Sequence, residues 1–426
     1  MFDQGLLAPG WAGSVAEELT GDAAVVRAML DAEAALSRAL AAVGLAPEAA
    51  AREVTEVCAE LTVDVRALAL AARSGGNPVI PLVKQLRAAV SEGSAEWVHR
   101  GTTSQDVLDT ALMLVSARVL DSSVLAGLSV ASTAAARLAR EHRSTPMAGR
   151  TLSQHAVPTT FGVKVAGWLS GLADAGRRCG QVRRELPAQL GGAAGTLAAL
   201  GTDGVAVADA FAAECGLAAR PSPWHTVRTP VAELGAALAL SAGACGKAAL
   251  DVTVLAQTEL GEVLGDAGGE SSAMPQKRNP VTAALIVAAA RQAPGEASAL
   301  HLGLLAENER PSGAWHAEWQ PWRTLLRVAG GAAEATGRLL TDLQPDVEAM
   351  AATAVDPSLL AERLSGVLRA ELGTGAAAAV REAAFAGRLP ELLAEHGIAD
   401  PAGYLGSAPA FVDRVLATTP PNERLS

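Results

Sequence analysis

The chain has 426 residues, half of them hydrophobic and only 3% aromatic, with a formal net charge of −11. An acidic chain has little general attraction for nucleic acid or anionic membranes, so neither is an expected partner, although there is still room for a local basic pocket that takes a small anion. The length is more than one small core serves and points to two or three packed subregions, and the abundance of Ala and Leu, the strongest helix formers, favours helix.

The opening MFDQGLLAPGWAG has no basic stretch followed by an apolar run, so no secretory signal is expected. Charges such as Glu233, Lys247, Asp251 and Arg291 interrupt the long apolar stretches, so no membrane span is expected and the cytoplasm follows. Cys58, Cys179, Cys215 and Cys245 show no CxxC spacing, which fits free buried thiols better than a metal site or a redox pair. No metal or cofactor motif is visible.

Residues 22–44 carry Val25, Ala28, Met29, Ala32, Ala35, Leu36 and Leu40 at helical spacing, with Asp22 as the expected N-cap and Gly44 as a stop. Residues 47–73 read as two further helices. The Gly/Pro loop SGGNPVIP and a helix over 82–92 then close a first domain at 1–100. From Asp106 the pattern becomes long and helical: 106–141, 158–184, 203–215, 229–260, 280–308 and 319–341. Several of these exceed the mean helix of about 11–12 residues. Helices that are long and apolar on more than one side need several neighbours, which predicts a central helical bundle over 101–344, part of whose apolar surface is covered by other subunits. Shorter helices over 357–371, 373–386 and 389–396 form a small C-terminal domain, 345–426. The expected fold is all-α, with three helical domains and no sheet core.

Three polar segments stand apart. GESSAMPQKRNPV, Gly269 to Val281, places Ser271, Ser272, Lys277, Arg278 and Asn279 after a Gly-rich stretch. It reads equally as a lid over an anion or as a solvated surface loop. HRGTTSQDVLDTA, His99 to Ala111, sets Thr102, Thr103 and Ser104 before a helix start, where hydroxyls and free N–H groups suit a carboxylate; simple N-capping is the plainer reading. GRTLSQHAVPTTFG, Gly149 to Gly162, holds Thr151, Gln154 and His155 before a helix expected to begin at Pro158. A lone His is more often structural, although its pKa suits proton transfer.

In this order these segments resemble the three signature regions of the fumarase/aspartase superfamily, most specifically SSxMPxKxNP, here Ser271, Ser272, Met274, Pro275, Lys277, Asn279 and Pro280. The resemblance covers roughly residues 5–345. GLLAPGWAG with LDAEAALSRA, TSQDVLDTAL, LGGAAGT, PWHTVR and ERPSGAWHAEW look like one branch, the bacterial 3-carboxy-cis,cis-muconate cycloisomerases. The resemblance implies a homotetramer with active sites shared between subunits and a small polycarboxylate substrate. It implies Ser271 as general base in the elimination direction, with Ser272 as the fallback. Lys277 and Asn279 would hold substrate carboxylates and Thr103, Ser104, Thr151 and Gln154 would bind substrate, while Arg228 and Arg310 are candidates for further carboxylate clamps because Arg forks suit carboxylates.

Two positions depart from the superfamily pattern. Leu152 stands where many of these lyases have a histidine that protonates the leaving group, and Glu270 where a Gly commonly precedes the serine pair. A carboxylate leaves as a stable anion and needs no acid, so Leu152 agrees with lactone chemistry. The same argument admits nitrite, as in a nitrosuccinate lyase. It counts against amine-releasing enzymes of the adenylosuccinate lyase type, unless His155 supplies the acid. A catalytically silent protein on the same fold is the remaining alternative, and the intact serine pair, Lys277 and Asn279 argue against it.

Overall fold

The computed structural model describes residues 5–264, 274 and 277–419. Packing divides the chain into two compact units. One comprises residues 1–126, 175–243 and 289–334, the other residues 127–174, 244–288 and 335–426. Every boundary falls inside a helix.

In the first unit the helix Asp22–Ala42 packs against Glu48–Glu60, Gly204–Cys215 and Ser104–Val119. Ala28, Met29, Ala32, Ala35, Leu36 and Leu40 are buried as their spacing predicts, and the alanines let neighbouring helices approach closely. Asp22 is the first helical residue and Gly21 the N-cap. Ser104–Val119 is buried on nearly all sides, Asp106 and Asp109 included, and every buried carboxylate on it requires a partner. Helix Ala314–Asp342 is locked to it by two indoles: Trp315 Nε1 donates to Asp109 Oδ1 at 2.9 Å and Trp322 Nε1 to Ser116 Oγ at 2.8 Å. The single helix expected over 106–141 is continuous, but it contains a π-helical turn at Leu120–Leu125 before resuming as Ala126–Glu141. Such a turn shifts the apolar stripe around the axis, and π-turns are frequent at functional sites.

The second unit corrects one expectation. Pro158 does not start a helix; it lies in a strand. β1 (Pro146–Thr151) and β2 (Gln154–Thr160) form an antiparallel hairpin, and the helix begins only at Phe161. A proline fixes φ for a strand end as well as for a helix start, and the β-branched Val157, Thr159 and Thr160 decide for the strand. Gly149 lies at the register shift of this hairpin, where a Cβ would come within 2.4 Å of the Val157 carbonyl oxygen. The C-terminal helices close on a small core of their own around Leu360, Leu364, Leu368, Val380 and Leu393.

Burial pushes the Cys58 and Cys215 thiols up to about 12 and that of Cys245 to about 11, so all three stay protonated at neutral pH. Among the described residues two helices, Ser104–Glu141 and Thr229–Leu255, are long and apolar enough to cross a membrane, with 72% and 50% of their apolar windows buried inside the chain. Leu240, Leu250 and Val254 on the second stay exposed.

Candidate active site

In the first unit three of the motifs interlock on one carboxylate. Asp106, in the first turn of Ser104–Val119, accepts the backbone N–H groups of Thr103, Gly191 and Gly192, each at 2.9 Å, and the Thr102 hydroxyl at 3.0 Å. His225 Nε2 lies 2.6 Å from its Oδ1. LGGAAGT and PWHTVR are thereby drawn onto the start of the TSQD helix. The glycines are required by this closeness: a Cβ on Gly191 would sit 2.7 Å from His225 Cε1, and Gly192 has φ +71°. Of the two capping candidates, Thr103 is the N-cap of this helix, in a capping box whose other half is the Asp106 carboxylate accepting the Thr103 N–H. Ser104 is half-buried and its hydroxyl has no hydrogen-bond partner among the described residues.

Gln105 is fully buried between two chains of contacts. Its Nε2 donates to Asp109 Oδ2 at 3.2 Å and to the His225 carbonyl at 2.9 Å, and its Oε1 accepts from Arg310 Nε at 3.2 Å. Arg310 also donates to the Ala193 carbonyl at 3.2 Å and remains exposed. Arg310 thus stands at the rim of the segment that carries Thr103 and Ser104.

Arg228 is placed differently from the expectation. It is 1% exposed, and its guanidinium is engaged on both edges, by Asp109 at 2.7 and 3.1 Å and by Glu318 at 2.6, 3.1 and 3.2 Å. A fork spent on two buried carboxylates has no edge left for a substrate, so Arg228 serves the core and not as a clamp. Burial raises the Glu318 carboxyl above its usual range even though Arg228 pulls the other way.

In the second unit the hairpin gathers the second signature. Thr151 pairs with Gln154 and Arg150 with His155, and the two-residue tip is Leu152–Ser153, both left-handed at φ +49° and +63°. Leu152 is 99% exposed. Thr151 and Gln154 are exposed, and Gln154 Nε2 donates to the Ser153 carbonyl at 3.2 Å. His155 Nδ1 lies 2.9 Å from Asp356 Oδ2. Burial works against ionisation of Asp356, but the Ser358 backbone N–H, the Ser358 side chain and His155 together hold its carboxyl below the ordinary range.

Arg150 forks onto the fully buried Glu262 through two bonds of 2.8 Å, and Thr353 Oγ1 donates to the same carboxylate at 2.6 Å. Glu262 precedes the short strand Val263–Leu264, so the hairpin is tied to the chain just before the third signature. Lys164 lies near these groups, and burial lowers its pKa. Ser271 and Ser272 lie outside the described residues. Lys277 is exposed and its backbone N–H donates to the Met274 carbonyl at 2.9 Å, while Asn279 is half-buried just before helix Val281–Leu302.

The structure thus brings Thr151, Gln154 and His155 onto one hairpin, and Arg310 onto Gln105 beside Thr103 and Ser104. Sequence reasoning missed His225, Gln105, Glu262 and Asp356. PWHTVR stood out as a motif and could have drawn attention to His225. The other three are single polar residues without a local pattern.

A family profile described as lyase matches residues 9–295. The chain is 46% identical to a nitrosuccinate lyase of Streptomyces davaonensis, over 98% of this chain and 95% of that one. It is 40% identical to a 3-carboxy-cis,cis-muconate cycloisomerase of Bradyrhizobium diazoefficiens, over 96% and 97%. The crystal structure of the 3-carboxy-cis,cis-muconate lactonizing enzyme of Pseudomonas putida superposes with a TM-score of 0.89 at 36% identity, over 97% of this chain and 99% of that one. With the family profile over two thirds of its length and these relatives over nearly all of it, the chain belongs to the fumarase/aspartase superfamily of lyases and cycloisomerases.

Proposed function

We propose that the enzyme interconverts 3-carboxy-cis,cis-muconate and a carboxymuconolactone, in protocatechuate catabolism in the cytoplasm. In the lactonising direction a substrate carboxylate oxygen bonds to a carbon of the conjugated double bond, and the adjacent carbanion, held as an enolate by its carboxylate, takes a proton. In reverse a base removes that proton and the ring oxygen leaves as a carboxylate. Ser271 is the base, with Ser272 as the fallback. Lys277, Asn279, Thr103, Ser104, Thr151, Gln154 and Arg310 hold the carboxylates, since cations and N–H or O–H donors preset around a developing enolate stabilise it most. The enzyme works as a homotetramer with shared sites. The apolar residues left exposed on helix Thr229–Leu255 support this.

The observation that carries the reading is Leu152: an alkyl side chain at the exposed tip of the hairpin, in the slot where many related lyases keep an imidazole. A leaving group whose conjugate acid is already strong gains little from protonation, which fits a carboxylate. A second reading, release of nitrite from nitrosuccinate to give fumarate, satisfies the same condition and is favoured by the 46% identity to the Streptomyces enzyme. Ultraviolet assays with the two substrates test the proposal. Turnover of carboxymuconate supports it, turnover of nitrosuccinate alone replaces it with the second reading, and turnover of neither leaves the silent protein.

A further inference from the structure

We propose that the second unit carries a separate binding site for a small multivalent oxyanion, formed by Arg137, Arg278 and Arg338 around a cavity of about 680 Å³. Such a volume is within the range of small-molecule pockets. The three guanidinium groups come from three different segments: helix Ala126–Glu141, the residue between Lys277 and Asn279, and helix Ala314–Asp342. Thr282 and Thr341 add hydroxyls to the wall. Among the described residues that line it, Asp342 is the single carboxylate against the three arginines, a formal balance of +2 on a chain whose overall charge is −11.

Among the described residues only Arg137 of the three has an ion partner, the exposed Glu141, in contrast to the doubly paired Arg228. Arg137 is oriented by bonds to Glu141 at 3.0 Å and to the Thr341 carbonyl at 3.2 Å. The Arg278 and Arg338 guanidinium groups form no ion pair or hydrogen bond with any described residue. Like charges gathered around one cavity repel, and a bound anion with two or more charged oxygens relieves that repulsion while matching the planar donor forks. Carboxylates and phosphates share this chemistry.

Arg278 lies between two residues that the proposed function assigns to substrate carboxylates, so an occupant that holds its guanidinium also restrains Lys277 and Asn279. This coupling rests on that reading; the site itself does not. Its expected consequence is a changed KM when the site is filled.

Calorimetric titration of the assembled enzyme with tricarballylate, and separately with inorganic pyrophosphate, tests the proposal without measuring turnover. The expected result is a binding event that persists in Lys277→Ala, weakens about tenfold or more in Arg338→Gln and in Arg137→Gln, and weakens further at high ionic strength. Binding of tricarballylate alone identifies a carboxylate site, and binding of pyrophosphate alone a phosphate site. Binding that is abolished in Lys277→Ala, or unchanged in both arginine variants, overturns the proposal. An enzyme that binds as expected but converts neither carboxymuconate nor nitrosuccinate refutes the proposed function and leaves this site standing.

Discussion

His155 presents Nδ1 to Asp356 Oδ2 at 2.9 Å, and Asp356 Oδ1 accepts the Ser358 N–H at 2.9 Å. The carboxylate holds Nδ1 and so orients the ring, while a carboxylate leaving group needs no acid from it. His155→Gln is therefore expected to lower turnover of a carboxylate-expelling substrate less than about tenfold, whereas loss of an essential acid costs about 10²–10⁴-fold. A loss of the larger size with the fold intact would transfer the acid role to His155.

The same pair has a pH signature. The Asp356 carboxyl is held below its ordinary value, so its contribution to stability is present above the unfolded value of about 3.9 and is lost as pH falls through the lower folded value. The hairpin should stay docked on Asp356 at pH 5 and loosen only in stronger acid. Hydrogen exchange of the β1–β2 amides against pH reads this directly. Loosening already between pH 7 and pH 5 would contradict it.

Arg228→Leu leaves Asp109 and Glu318 buried without their cation, and breaking such a pair costs about 3–5 kcal/mol. Denaturant unfolding should show that loss, and at a permissive temperature KM should stay near wild type. A variant of undiminished stability with a raised KM would restore Arg228 as a substrate clamp.

The hairpin tip separates turn geometry from function. Two successive left-handed residues make the kind of turn that prefers Asn-Gly, and Leu152 with Ser153 lack that preference. Leu152→Asn should gain about 0.5–1 kcal/mol of stability, because Asn tolerates the left-handed conformation that Leu resists. An unchanged or lowered melting temperature would mean that the exposed leucine side chain is itself held in the assembled enzyme.

Much of the helical architecture was legible because long runs of Ala and Leu broken by Gly and Pro carry a strong periodic signal. The start at Asp22, one residue from the observed cap, shows how far local chemistry reaches. The hairpin escaped notice because Pro158 is compatible with either structure, and the pairing of Arg150 with His155 across the tip is a relationship between strands. The compact units were not legible, since their boundaries lie inside continuous helices where no turn residue marks them. Thr103 and Arg310 could be proposed from motifs. The true setting of Arg228 could not, because Asp109 and Glu318 lie more than 80 residues away on either side.

The most direct measurement for the leaving-group account compares turnover of carboxymuconate, nitrosuccinate, argininosuccinate and adenylosuccinate by the purified enzyme. The account predicts efficient conversion of carboxymuconate and none of either amine-releasing substrate, and in Ser271→Ala a loss of about 10²–10⁴-fold on the active one. Efficient release of an amine from argininosuccinate or adenylosuccinate, with Leu152 in place, would contradict it.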